Sequence, residues 1–179
     1  MLQDIREVLI SKEAIEAKTK ELAERISRDY KGKDLLVVGV LKGSVIFASE
    51  LIKNITIPCE IDFMAVSSYG SSSETTGVVR ILKDLDSEIS GKHILIVEDI
   101  VDSGVTLSYL LNYLKTRNAS SVEIASLLTK PSRRKLDIDC KYIGFETPDE
   151  FLVGYGLDYA EKYRNLPFIG ILKREVYEK

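Results

Sequence analysis

A single histidine, His93, stands in the 179 residues. That excludes a metal centre built on several imidazoles and leaves one candidate for the base of a Ser-His-Asp triad. Any metal must therefore be held by oxygen. The two cysteines, Cys59 and Cys140, lie far apart with no C-x-x-C spacing. Neither a disulfide framework nor a thiolate zinc site is indicated, and both read as core residues. Long apolar runs are missing too: stretches such as 35–38 and 94–97 fall far short of the roughly 18–20 residues of a membrane span. The sequence also lacks a basic excess, with 25 Lys and Arg against 28 Asp and Glu and a net charge of −3. This argues against a protein that works on the nucleic-acid backbone. The first residues, Met1-Leu2-Gln3-Asp4-Ile5-Arg6-Glu7, place acids where a secretory leader has a basic and then an apolar region. The expectation is a cytoplasmic protein with no membrane partner.

What is present suits one α/β domain over residues 1–179, with 45% hydrophobic residues and no break in composition that would mark a second. Residues 11–30 carry Ile15, Leu22 and Ile26 at helical spacing behind Ser11, a candidate N-cap. Residues 35–41 form a short β-branched run, followed by Lys42-Gly43-Ser44 and a helical stretch over 45–52. Ile57, Cys59, Ile61 and Phe63 alternate with period two, predicting a half-buried strand over 57–66. The small polar residues of 67–77 then predict a mobile loop before a strand over 78–82. Residues 93–97 read as a buried strand, and Leu107, Leu110, Leu111 and Leu114 stripe the helix after it. Further short apolar segments lie at 124–128, 142–145 and 167–172. Strands alternating with helices predict a parallel sheet core flanked by helices and joined by right-handed crossovers.

The most informative stretch is residues 97–106, Val97-Glu98-Asp99-Ile100-Val101-Asp102-Ser103-Gly104-Val105-Thr106. It lies between a strand and a helix, where open α/β sheets bind ligands. The helix start offers unpaired N–H groups and a positive dipole end, and Ser103, Gly104 and Thr106 let backbone and hydroxyls approach a phosphate. Glu98 and Asp99 can accept bonds from vicinal sugar hydroxyls or help hold a hard cation, with Asp102 a few residues on. A sugar phosphate with magnesium is the implied ligand. Acids here could merely cap the helix, but three in five residues repel one another unless something bound offsets them. No P-loop signature is present, and no acid follows a G-x-G-x-x-G at dinucleotide-binding spacing.

This stretch resembles the phosphoribosyl-pyrophosphate loop of the type I phosphoribosyltransferases: two apolar residues, two acids, two apolar residues, Asp, Ser or Thr, and Gly. Residues 41–44, 67–70, 128–131 and 148–159 are similar, in the same order, to motifs of the hypoxanthine-guanine branch of that family. The resemblance implies the type I phosphoribosyltransferase fold, with a small hood region and a flexible active-site loop. It implies an enzyme that joins hypoxanthine or guanine to phosphoribosyl pyrophosphate, giving inosine or guanosine monophosphate and pyrophosphate. It also implies magnesium and a homodimer or homotetramer.

The same resemblance implies a role for each matching residue. Asp102 is the proton acceptor facing N7 of the purine. Glu98 and Asp99 bind the ribose hydroxyls and magnesium, while Ser103, Gly104 and Thr106 cradle the 5′-phosphate. Lys42 and Gly43 form the pyrophosphate loop, with a cis peptide between Leu41 and Lys42, and Arg164 is a second pyrophosphate contact. Ser68 and Tyr69 head the loop that closes over the reacting centre. Lys130 bonds the purine 6-oxygen, Phe151 stacks on the base, Leu152 presents its carbonyl to the purine edge, and Asp158 stands near a second magnesium and that edge. Glu150 departs from the Lys often found before this Phe. Taken one at a time, each residue has a plainer reading: a helix cap for Asp102, a solvated side chain for Lys130 or Arg164, a core ring for Phe151. Two other proteins share the pattern: a purine phosphoribosyltransferase with a changed base pocket, such as a xanthine enzyme, and a transcriptional regulator of this fold that binds RNA. The second needs a basic face, which the net charge of −3 disfavours.

Overall fold

The computed structural model describes residues 1–68 and 79–178. The expected loop residue Tyr69 lies outside them, as do the remaining residues of the 67–77 segment from 70 onward. Nine strands occur among the described residues, in two sheets. The larger sheet has the order β4-β3-β2-β5-β6-β7, built from β2 (Leu35–Leu41), β3 (Glu60–Ser68), β4 (Val79–Lys83), β5 (His93–Val101), β6 (Ser121–Thr129) and β7 (Tyr142–Glu146). All its pairings are parallel except β3 with β4.

The near-continuous apolar character of β2 and β5 follows from burial on both faces. Alternate residues enter opposite cores. Leu35, Val37, Leu95 and Val97 pack with Ile15, Leu22 and Ile26 of α1 (Lys12–Asp29) and Phe47 and Leu51 of α2 (Val45–Asn54). Leu36, Val38, Ile94 and Ile96 pack with Leu107, Leu110 and Leu114 of α3 (Val105–Lys115). Ser11 caps α1, its hydroxyl accepting from the Ala14 N–H at 3.2 Å.

Strand order reverses between β2 and β5: the chain leaves β2 toward β3 on one side, then returns to β5 on the other. The carboxyl ends of these two strands therefore flank the crevice where such sheets take ligands. Lys42-Gly43 and Asp102-Ser103-Gly104 sit at those ends.

Three expectations need correction. The period-two strand begins at Glu60, after Ile57 and Cys59. Pro58, which has no N–H to donate to a ladder, precedes it, and inside the strand Ile61 is exposed while Met64 is buried. The segment at 167–172 contributes β9 (Ile169–Leu172) to the second sheet and not to the main one. That sheet, β1-β9-β8, is antiparallel and includes β1 (Ile5–Ile10) and the two-residue β8 (Leu152–Val153), neither of which the sequence pattern singled out. It forms a hood with its own small core of Val153, Tyr163, Leu166 and Leu172.

Leu95 is fully buried in the central strand. Leu95→Ala is expected to lower unfolding free energy by about 2–5 kcal/mol, since transfer and cavity costs add. Urea denaturation of the two proteins measures it.

Candidate active site

Glu98 and Asp99 lie in the second half of β5, with Glu98 in register with Ser126 of β6. The turn that follows is therefore only Asp102-Ser103-Gly104, shorter than the sequence pattern suggested. Burial, and then the neighbouring Asp99 charge, push the Glu98 carboxyl well above its ordinary range. Burial raises Asp99 to about 6, partly offset by the Ile100 N–H, which donates to its Oδ1 at 2.7 Å, and by the Arg164 charge. Two adjacent carboxylates short of water and of counter-charge fit a hard cation whose remaining ligands come from substrate oxygens. Among the described residues, no three acids, histidines or cysteines converge as a ready-made metal cage. Both oxygens of Asp158 are engaged, one paired with Arg164 at 3.0 Å and the other accepting from the Glu161 N–H at 2.8 Å.

The Asp99 carboxylate presses directly on Gly43, where any Cβ would overlap it. Gly156 in turn packs against the Gly43 carbonyl with no room for a side chain. The turn after β2, the acids of β5 and the loop after β8 thus interlock. The Leu41–Lys42 peptide is cis. Lys42 reaches Glu161 at 2.9 Å, and Arg164 reaches Glu161 at 3.2 Å while donating to the Gly156 carbonyl at 2.7 Å. The hydrogen bond to Lys42, then that to Arg164, holds the Glu161 carboxyl below its usual value. Both cations sequence reasoning set aside for pyrophosphate are therefore present together, held by carboxylates.

Gly104 occupies the N-cap position before α3, its φ of 85° suiting glycine, and it supplies no side-chain capping bond. The Ser103 hydroxyl accepts from the Val105 N–H at 3.3 Å. Asp102 does not serve as the cap. Its Oδ1 is buried without a partner among the described residues, and Oδ2 lies 4.0 Å from the Arg133 guanidinium. Asp102 and Ile100 line two adjoining cavities. One, of about 180 Å³, is shared with Glu98, Asp99, Ser103, Gly104 and Thr106. The other, of about 370 Å³, is shared with Lys130, Phe151, Leu152, Leu157 and Asp158.

Lys130 follows β6 directly, and its N–H donates to the Val101 carbonyl at 2.9 Å, tying it to the residue before Asp102. Its buried ammonium donates to the Glu150 carbonyl at 2.7 Å, and burial, then Arg133, lower its pKa. The Glu150 side chain pairs with Arg6 of β1 at 3.0 Å, which ties β1 to the segment leading into β8. Sequence reasoning missed Arg133, Arg174 and Tyr177 on the larger cavity's wall. Arg133 carried a local signal, three residues after Lys130 on a proline-led turn; the other two arrive only through the fold. His93 lies at the opposite end of β5 from Asp102, its Nδ1 2.7 Å from the Ser121 hydroxyl, so no triad forms.

With this geometry in hand, comparison with known proteins is specific. The family model described as "Phosphoribosyl transferase domain" matches residues 8–160. The chain is 54% identical over 178 residues to the hypoxanthine-guanine phosphoribosyltransferase of Bacillus subtilis (strain 168), covering 99% of each. It is also 54% identical over 177 residues to that of Staphylococcus aureus (strain Mu50 / ATCC 700699), again covering 99% of each. A crystal structure of a hypoxanthine phosphoribosyltransferase from Staphylococcus aureus superposes with a TM-score of 0.97 at 53% identity, covering 100% of this chain and 97% of that one.

The raised Asp99 value gives a signed expectation. A carboxyl whose folded value exceeds its unfolded one costs stability once ionised, and this cost grows as pH rises from about 4 through 6. Asp99→Asn should therefore raise the thermal midpoint at pH 8, by up to about 3 kcal/mol of stability, with the gain shrinking at pH 5. Scanning calorimetry at the two pH values reads it, and equal gains at both would contradict it.

Proposed function

The chain belongs to the phosphoribosyl transferase family, and from that membership we propose how its two adjoining cavities divide the substrates of a hypoxanthine-guanine phosphoribosyltransferase. The enzyme serves purine salvage: it transfers the phosphoribosyl group of phosphoribosyl pyrophosphate to hypoxanthine or guanine, giving inosine or guanosine monophosphate and pyrophosphate. One observation carries the division, namely that Asp102 and Ile100 line both cavities at once. A base in one and a sugar phosphate in the other would meet at Asp102.

In the smaller cavity, the N–H groups opening α3, with Ser103, Gly104 and Thr106, bind the 5′-phosphate, because a helix start presents unpaired donors and a positive dipole. Glu98 and Asp99 accept from the ribose hydroxyls. The same two carboxylates would hold magnesium, and Asp158 would hold a second ion. When bound, magnesium supplies the counter-charge that the pyrophosphate and the acids share. The Lys42-Gly43 turn and Arg164 take the pyrophosphate, exchanging the carboxylates of Glu161 and Asp158 for it. That exchange keeps both cations paired whether the site is empty or filled, so neither is left as a costly isolated charge.

In the larger cavity, the purine lies against Phe151 and Ile100. Lys130 donates to its 6-oxygen, and Leu152 offers a backbone carbonyl to its edge. An ammonium has three donors and no acceptor, so Lys130 can keep its bond to Glu150 while favouring an oxo group over an amino group. As the glycosidic bond to pyrophosphate loosens, positive charge grows on the ribose, as in glycosyl transfer generally. The Asp102 carboxylate stabilises that charge and accepts the N7 proton as the base becomes the nucleophile. On the same reading, the working protein is a cytoplasmic homodimer or homotetramer.

Asp102→Asn separates chemistry from architecture. Asn keeps the shape and removes the basicity, so kcat should fall about 10²-fold or more with the thermal midpoint nearly unchanged. Steady-state kinetics beside thermal unfolding checks both, and a folded variant with near-full kcat would remove Asp102 from the chemistry.

A further inference from the structure

We propose that Tyr177, from the last turn of the hood, is a positioning residue for base binding, fixing the plane of the Phe151 ring and closing the outer side of the base cavity. The proposal rests on the reading that the Phe151-lined cavity holds the purine.

The hood brings this about. α4 (Arg174–Tyr177) follows β9 directly, and its approach is fixed at both flanks. The Leu172 N–H donates to the Phe151 carbonyl at 2.8 Å, and the Lys173 N–H donates to the Asp4 carbonyl at 2.9 Å. So anchored, Tyr177 stacks on Phe151 with ring centroids 4.8 Å apart and planes 28° from parallel. Tyr159 meets the same phenyl group at 5.5 Å and 89°. The two tyrosines differ in one respect: Tyr177 lines the cavity that contains Lys130 and Asp102, and Tyr159 does not. Phe151 is thus clamped between a backing ring away from the cavity and a stacked ring beside it.

The clamp matters because Phe151 lies just before β8 and is only partly buried against the hood core, while the second torsion of a phenyl side chain is broad and two-fold. A base that stacks on a freely turning ring must first immobilise it, and that ordering subtracts from affinity. A ring already held by offset and edge contacts imposes no such penalty. Tyr177 therefore acts on the base alone. On the proposed reading phosphoribosyl pyrophosphate binds among Glu98, Asp99, Lys42 and the start of α3, and Tyr177 is not among the residues lining the sugar-phosphate cavity.

The test is steady-state kinetics with both substrates varied, on Tyr177→Ala, Tyr177→Leu, Tyr177→Phe and Phe151→Ala, each checked by thermal unfolding. Tyr177→Ala and Tyr177→Leu should raise the KM for hypoxanthine about three- to ten-fold, the range expected for losing one aromatic pair. The KM for phosphoribosyl pyrophosphate and kcat should stay within about two-fold, and Tyr177→Phe should restore the wild-type value. Leu keeps apolar bulk, so it isolates the flat ring even if Ala disturbs the turn. A raised base KM in Phe151→Ala with none in Tyr177→Leu overturns the role of Tyr177 and leaves the cavity reading intact. No change in Phe151→Ala overturns the cavity reading and this proposal with it. Equal rises in both KM values, or no rescue by Phe, would make Tyr177 merely structural and also overturn the proposal.

Discussion

Two neighbouring carboxylates at the end of a central strand set the terms for everything around them. Glu98 is buried, Asp99 lies against the backbone of Gly43, and neither has a full counter-charge in the protein. Such a pair costs the fold stability unless a ligand answers it, and this is the physical ground on which the proposed function places cation and substrate there. It also dictates neighbours. Only glycine fits at position 43, and Gly156 must lie flat on that turn. The turn after β2, the end of β5 and the loop after β8 are thereby forced into one crevice.

From that crevice the chemistry follows by adjacency. Asp102 stands just beyond the pair, free of the capping duty that its place before a helix suggests, and it lines both the smaller cavity and the larger one that holds Lys130 and Phe151. Lys130 is brought alongside because its N–H is tied to Val101 at the end of the same strand. Asp102 and Lys130, the proton acceptor and base selector of the proposed function, are therefore positioned by one strand ladder, which resists the small displacements that loops permit.

Much of this was legible in the sequence, for a physical reason. Strands buried on both faces must be apolar throughout, so 35–41 and 93–97 announced themselves, and so did the acids that interrupt the second run. The leucine stripe of α3 and the Ser11 cap are local signals of the same kind. The hood was not legible as strands. β1 mixes Arg6 and Glu7 with apolar residues, β8 is two residues long, and both exist only through pairing with β9 at the far end of the chain. Arg174 and Tyr177 reach the cavity by that same distant pairing, which no local pattern encodes. The alternation at 57–63 misled because two of its four residues lie before the strand, beside a proline. The roles of Lys130 and Phe151 came from family resemblance alone, since a lysine and a phenylalanine on loops carry no chemistry of their own in a sequence.

The central claim is that one Asp joins a sugar-phosphate cavity to a cavity whose buried lysine selects an oxo group. The direct measurement is pyrophosphate release from phosphoribosyl pyrophosphate and magnesium with hypoxanthine, guanine, xanthine or adenine supplied in turn. The account predicts rapid release with hypoxanthine and guanine and none above background with adenine. Comparable release with adenine, or release that ignores the base supplied, would contradict it.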